Sequence, residues 1–482
     1  MPRSNQPAPT KPTTAPQPET PAVNRRGFIQ GMAAAAASAA LATRLHAEDN
    51  AADTAKESPA TPSTPASLPK NPLKRFPILL SDSPGFISAR EAALDVLKPT
   101  QAELETGLRI HYESLVFDTY GFAPRAALDR KKLAAAIEAG ASDLELQDMQ
   151  EDMSMTRAAT VPEERAELRH AFECAGVTCI FENAGEESQD PEVLLKRLAR
   201  HTYLTDMCRD VLNRAVTPDD IEATHREGKH CLYLTGNGIP LAQQWVTVEE
   251  ELAPVRIFFQ LGIRMMHLTY NRRNMLGDGC AEPANGGISD LGRHAIAELN
   301  RQGVIVDVAH SGWRTSLEAA QASSKPMVAS HTTCTALHHH IRSKPDEVIK
   351  AICDSGGMIG ICCIPYFLGG SGDIAALLDH IDHVAKKFGV DHVGIGTDVA
   401  YSSRHQDTTT KLPPRAKRRT RFAALWPPES RGSGRYPRAA SIAWAAWPMF
   451  TVGLVQRGYS EEDIRKILGG NMMRVCREAL KV

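Results

Sequence analysis

Little in the composition commits this chain to a partner. Its 55 lysines and arginines nearly balance 57 aspartates and glutamates, for a net charge of −2. With both signs mixed along the chain there is no field of the kind that draws a protein to nucleic acid or a membrane surface. Aromatic residues are only 6% of the total, and basic segments are not interleaved with them as a base-stacking surface would require. No C-x-x-C pair of a structural zinc site occurs among the ten cysteines. Several of them (Cys179, Cys231, Cys362, Cys363) lie inside apolar segments, which argues for buried free thiols and against a disulfide framework. The longest weakly apolar run, Met32 to Ala42, is too short for a permanent membrane helix. What remains is a chain of 482 residues that can bury a large core, as one α/β barrel with extensions or as two domains.

The amino terminus has its own pattern. Asn24-Arg25-Arg26-Gly27-Phe28-Ile29-Gln30 precedes that alanine-rich run, and Leu45-His46-Ala47 fits a cleavage site. Paired arginines before a short, weakly hydrophobic core predict a twin-arginine export signal over 1–47 and a periplasmic or otherwise exported mature protein. Residues 48–75, rich in Ala, Pro, Ser and Thr without periodicity, predict a disordered tether. The globular part then runs from 76 to 482.

Eight apolar, largely β-branched runs follow: Leu115–Tyr120, Val177–Phe181, His230–Leu234, Arg264–Tyr270, Val304–His310, Met327–His331, Met358–Cys363 and His392–Asp398. Helical patterns separate them, among them Pro191–Asn213, Val248–Leu261, Ser289–Arg301, Trp313–Ala322, Asp346–Ser355 and Ile374–Phe388. Eight strands alternating with helices predict an α/β fold of the (β/α)₈ TIM-barrel type. The charged stretch from Arg125 to Glu173 exceeds what a plain barrel needs and predicts a segment that caps the mouth or shapes substrate access. A basic, Pro- and Gly-rich insertion (about 404–440) carries Arg415, Lys417, Arg418, Arg419 and Arg421 and reads as a solvated loop. Trp444 and Trp447 read as packing residues. Near the end, Gly469-Gly470 is expected to stop one helix before a closing helix from Asn471.

Polar residues at strand ends of such a barrel face the ligand side. His310 and His331 end consecutive strands, so their imidazoles can share one metal ion, with zinc the default for imidazole-rich sites. Asp398 ends the eighth strand and is able to act as ligand, general base or anchor for a substrate ammonium. Arg342, in the loop after the sixth strand, is placed to clamp a substrate carboxylate. The tract His338-His339-His340 is weaker as a metal signal.

The segments Gly303–Gly312, Val328–Ile341, Asp379–Asp398 and Leu454–Arg477 resemble the membrane dipeptidase, or renal dipeptidase, family of metallopeptidases. The resemblance implies an amidohydrolase-like barrel that hydrolyses dipeptides at a two-zinc site. It makes His310 and His331 zinc ligands, Arg342 a substrate contact and Asp398 catalytic. The chain departs from that pattern where a His-x-Asp metal pair belongs, since Asp118-Thr119-Tyr120-Gly121-Phe122 puts Tyr120 and Phe122 there. The bridging glutamate's position falls on Thr235 or Gly236. These losses predict at most one ion, or a metal-free site, with the Tyr120 hydroxyl available to substrate. Two functions follow: an exported metallohydrolase of dipeptides or similar amides, or a metal-depleted barrel serving binding or maturation. The expected partners are a dipeptide-like small molecule and the twin-arginine machinery, with a homodimer left open and no nucleic acid.

Overall fold

The computed structural model describes residues 72–480 apart from 186, 415–424, 428, 429, 431 and 433. The predicted export signal, residues 48–71 of the predicted tether and the basic cluster from Arg415 to Arg421 lie outside the described residues. Regular backbone begins four residues before the expected boundary, because Pro72–Arg75 form a 3₁₀ turn closed by the Phe76 amide on the Leu73 carbonyl (3.3 Å).

Each of the eight predicted runs contributes one parallel strand to a nearly closed barrel. They are β1 (Phe117–Gly121), β2 (Cys179–Asn183), β3 (His230–Gly236), β4 (Ile263–His267), β5 (Ile305–Asp307), β6 (Val328–Cys334), β7 (Met358–Ile361) and β8 (Val393–Ile395), paired in chain order. Strands covered on both faces read as unbroken apolar runs, which is why the sequence marks them so clearly. The seam between β8 and β1 closes just beyond the strand ends. Here the Asp398 amide donates to the Tyr120 carbonyl (3.0 Å), and Thr397 donates from its amide (2.9 Å) and hydroxyl (2.6 Å) to the buried Asp118 carboxylate. This stitching holds Tyr120 and Asp398 side by side at the mouth.

Below the mouth the barrel is packed solid. Phe117 stacks on Phe181 (5.3 Å) and Phe181 meets Tyr233 (4.9 Å), with Met265, Ile305, Val328 and Met358 completing the layer. Each such ring pair contributes about 1 kcal/mol beyond the area it buries. Trp444 and Trp447 are buried, as their packing role requires. All ten cysteines are free, and only Cys280 is partly exposed. No helix among the described residues is long and apolar enough to cross a membrane.

Three features depart from expectation. Leu212–Ala215 forms a short parallel strand outside β3, where a helix was expected to run on to Asn213; the helix ends at Met207. Only two of that strand's four residues are buried, so no apolar run announces it. Ser343–Lys344 pairs in the same way with the end of β6. Third, Gly469-Gly470 does not separate the helix before it from the closing helix: Lys466–Gly470 continue as a π-helical turn directly into Asn471–Ala479. A Cβ on Gly469 would lie 2.4 Å from the Leu115 carbonyl oxygen, so this glycine serves the close approach of helix to β1 entry.

Candidate active site

Three consecutive strands each bring a histidine to the mouth. His267 is the last residue of β4, His310 lies three residues beyond β5 and His331 lies within β6. All three are buried, with nitrogens within 4.8 Å of one another. The Nε2 atoms of His310 and His331 are 2.9 Å apart. Their other nitrogens are engaged, His310 Nδ1 with Asn271 Oδ1 (2.7 Å) and His331 Nδ1 with Ser330 Oγ (2.8 Å). The Ser330 hydroxyl itself donates to Asp307, whose carboxylate stands 2.9 Å from His267 Nε2.

That pattern decides the tautomers. Asn271 Oδ1 accepts, so His310 carries its proton on Nδ1. Ser330 spends its own proton on Asp307 and therefore accepts from His331 Nδ1. Both Nε2 atoms thus present lone pairs toward each other, a repulsive arrangement unless a cation or a shared proton lies between them. Burial, reinforced by the charge of Arg342, holds both imidazoles well below the usual histidine range, and a metal needs its imidazoles neutral. The residues present fit one ion; a tetrahedral zinc with bonds of about 2.05 Å needs only a separation of about 3.3 Å.

A second ion does not fit. Tyr120 lies face to face on His331 with ring centroids 3.8 Å apart, and Phe122 packs edge-on against it (5.9 Å). Thr235 Oγ1 donates to the Met265 carbonyl (3.0 Å), and the Gly236 carbonyl faces His267 Nδ1 (3.2 Å). No carboxylate stands at any of the positions where the resemblance places the remaining ligands.

The other sequence-derived candidates lie around this centre. Asp398 has φ of +56°, an uncommon backbone state for a non-glycine residue. Burial raises its carboxyl to about 6 against the opposing charges of Arg342 and His267. Arg342 is fully buried, donating to the carbonyls of His331 (2.9 Å) and Ala309 (3.3 Å), and its Nη1 has no partner among the described residues. Lys344, equally buried, donates to the Ser311 carbonyl (2.6 Å) and is pushed down to about 7 by burial. The Tyr120 hydroxyl donates to Asn237 Oδ1 (2.9 Å). From the histidine tract, His340 bonds the Ser430 carbonyl (3.1 Å), and no member joins the buried triad.

Above them lies a cavity of about 370 Å³ whose walls include Tyr120, Phe122, Glu187, Asn237, His310 and Asp398. The helix Asp143–Thr156 supplies Glu151, Ser154 and Met155 to its rim, so the extra helical stretch does shape access. Trp426, within the insertion and after its basic cluster, stacks on Phe367 (6.0 Å) and meets His310 edge-on (6.3 Å). Sequence reasoning missed His267, Tyr270 (stacked 4.0 Å from His310), Asn271 and Glu187. His267 had a signal, a third strand-end histidine on the strand before His310; Glu187 had none.

A model of the membrane dipeptidase family (peptidase family M19) matches residues 113–408, more than half of the chain. Among curated proteins, dipeptidase tcpJ of Claviceps purpurea (strain 20.1) is 28% identical over 280 residues, 57% of either chain. The chain thus spans little more than half the length of that relative. Among solved structures, an amidohydrolase from Pseudomonas aeruginosa is similar with a TM-score of 0.56 and 24% identity, covering 77% of this chain and 98% of that one. The probable dipeptidase PvdM from Pseudomonas aeruginosa is similar with a TM-score of 0.54 and 20% identity, covering 79% and 98%. Both likenesses are of fold.

Proposed function

The chain belongs to the membrane dipeptidase family, and from that premise we propose that it is an exported, metal-dependent hydrolase of dipeptides or similar small amides. The observation that carries this is the convergence of the His310 and His331 Nε2 lone pairs at the edge of a cavity that His310 and Asp398 line. His310 and His331, with His267 beside them, would hold one ion, zinc in the first instance, which when bound supplies a Lewis acid for the scissile carbonyl.

The chain's own residues perform the rest. Asp398, charged above about pH 6, accepts the proton of the attacking water and returns it to the leaving amine. Arg342 keeps one guanidinium nitrogen for the substrate carboxylate, and its fixed charge beside Asp398 favours the carboxylate form. Tyr120, Tyr270 and Trp426 pack around the imidazoles and exclude bulk water. Elemental analysis of the purified protein, with a panel of dipeptides and dehydropeptides, tests the proposal. About one equivalent of metal and metal-restored turnover are expected. Less than about a tenth of an equivalent, with no turnover restored by added metal, refutes it.

The same 2.9 Å contact also favours a second reading, a metal-free barrel in which one proton is shared between the two imidazoles and the cavity only binds. Its signature is a biological activity abolished by His310→Ala and His331→Ala yet indifferent to chelators. Export belongs to the proposal as well. Replacing Arg25 and Arg26 with lysine is expected to hold the precursor in the cytoplasm, and unchanged periplasmic accumulation would refute that assignment.

A further inference from the structure

One wall of the cavity carries an acid with one oxygen unpartnered. The Glu187 side chain is 5% exposed. Its Oε1 accepts from Asn237 Nδ2 (3.0 Å), with Arg197 Nη1 farther off at 3.6 Å from the same oxygen. Its Oε2 is buried and has no hydrogen-bond partner among the described residues. An unpaired buried carboxylate oxygen has lost its hydration with nothing in exchange unless something else compensates. Arg197 pairs bidentately with Glu151 (2.9 and 3.1 Å) and reaches Glu187 only as an ion pair on Oε1, so Oε2 receives no hydrogen bond from it.

The acid is held in place from below by the very residue that stands where the resemblance puts a metal ligand. Tyr120 OH donates to Asn237 Oδ1 (2.9 Å), and Asn237 then has its amide free to donate to Glu187. The order β1 tyrosine, Asn237, Glu187 is a chain of hydrogen bonds that fixes which carboxylate oxygen is used and leaves the other without a partner, on a residue that walls the cavity. Glu187, Asn237 and Tyr270 also wall an adjoining cavity of about 370 Å³, so Glu187 stands between two lobes.

We propose that Glu187 is a substrate-binding residue that receives a cationic amine, the free ammonium of a small peptide or amino-acid amide, with Tyr120 and Asn237 as its positioning residues. This rests on the proposed hydrolase reading for the substrate class only. An amine donor satisfies Oε2 with a charge-assisted bond, and Asp398 is then left to carry protons without also anchoring the ammonium. In this barrel the position vacated by a metal ligand organises recognition of the substrate's amino end.

Ligand-observed NMR on the purified protein with glycyl-glycine and N-acetyl-glycyl-glycine separates the claims, because the spectrum reports binding and whether the peptide stays intact. The wild type is expected to bind glycyl-glycine at least about tenfold more tightly than the acetylated form, the range of one hydrogen bond to a charged group. Glu187→Gln keeps an acceptor for Asn237 and is expected to weaken glycyl-glycine by about tenfold while leaving the acetylated peptide unchanged. Tyr120→Phe is expected to erode the same preference, with no further loss in the Tyr120→Phe/Glu187→Gln double variant, a coupling that a purely structural role would not produce. If Glu187→Gln does not fold, Asn237→Ala is read in its place. A wild type without preference for the free amine, or a Glu187→Gln that weakens both peptides alike, overturns the assignment. A peptide that binds with the preference but is never cleaved leaves Glu187 standing and removes the hydrolase reading alone.

Discussion

His310 Nε2 and His331 Nε2 face each other at 2.9 Å, each with its second nitrogen already donating to a neighbour. Two lone pairs held so close by rigid strand ends form a cation site whose occupant is decided by its surroundings. Tyr120 covers one side and Arg342 places a positive charge near the other. Room therefore exists for a single ion between the histidines and for none beyond Tyr120.

Stoichiometry follows directly. Metal analysis of the wild type is expected to give at most one equivalent, and His310→Ala or His331→Ala to lower it at least tenfold in affinity, the effect of losing one of few ligands. His267→Ala separates a third ligand from a neighbour: a ligand's loss costs a similar factor. Restoring Tyr120→His and Phe122→Asp with either Gly236→Glu or Thr235→Glu is expected to raise the count toward two. Two fully occupied ions in the unaltered protein soaked in zinc would contradict the packing of Tyr120 on His331.

The acid limb of activity belongs to Asp398 if that residue carries the proton. Burial raises its carboxyl to about 6, so kcat/KM is expected to fall as pH drops below about 6 and to level off above it. Asp398→Asn is expected to lose about 100-fold or more at every pH and with it the limb. A variant that retains the limb would assign the ionisation elsewhere.

Acid stability turns on a different histidine. His111 is buried, bonded to Thr451 Oγ1 (2.8 Å) and the Ala175 carbonyl (2.8 Å), and burial pushes it down to about 4. Unfolding exposes it at its ordinary value near 6.5. The unfolded chain therefore binds more protons between these values, and stability is lost as pH falls from about 6.5 to about 4. One such shift amounts to roughly 3 kcal/mol. Urea unfolding of the wild type and His111→Gln at pH 7 and pH 4.5 checks it: the variant is expected to show the smaller acid loss, and equal losses would exclude His111 as a source.

The barrel was legible because parallel strands buried on both faces must be apolar, and each of eight such runs holds one strand, with ends up to three residues away from those expected. Leu212–Ala215 and Ser343–Lys344 escaped because a strand of four or two residues at the margin needs no apolar run. Gly469 misled because a glycine demanded by the close approach of Leu115 looks the same in sequence as one that ends a helix. In the site, the nearness of His310, His331 and Asp398 could be read from the apolar runs that carry them, although His310 and Asp398 lie three residues beyond their strands and His331 lies within its own. The engagement of the Tyr120 hydroxyl by Asn237, and the unpaired oxygen of Glu187, could not. Both depend on partners fifty or more residues away and on which lone pair each leaves unused.

The seam between β8 and β1 supplies a last test, because it joins fold and site. Thr397 donates twice to Asp118, a carboxyl that burial raises to about 7, and the next residue is Asp398. Thr397→Val removes the hydroxyl bond while keeping the amide bond and side-chain volume. It leaves one buried carboxylate oxygen unpaired, at a cost of about 1–3 kcal/mol. The cost is greatest when Asp118 is charged, so the deficit relative to wild type is expected to be larger at pH 8 than at pH 6. Asp118→Asn, which carries no charge to stabilise, is expected to shrink the effect of Thr397→Val and its pH dependence. Denaturant unfolding of the four proteins at both pH values decides the matter. A deficit that is the same at pH 6 and pH 8 would mean that the hydroxyl supports packing alone and that the Asp118 charge plays no part in closing the barrel.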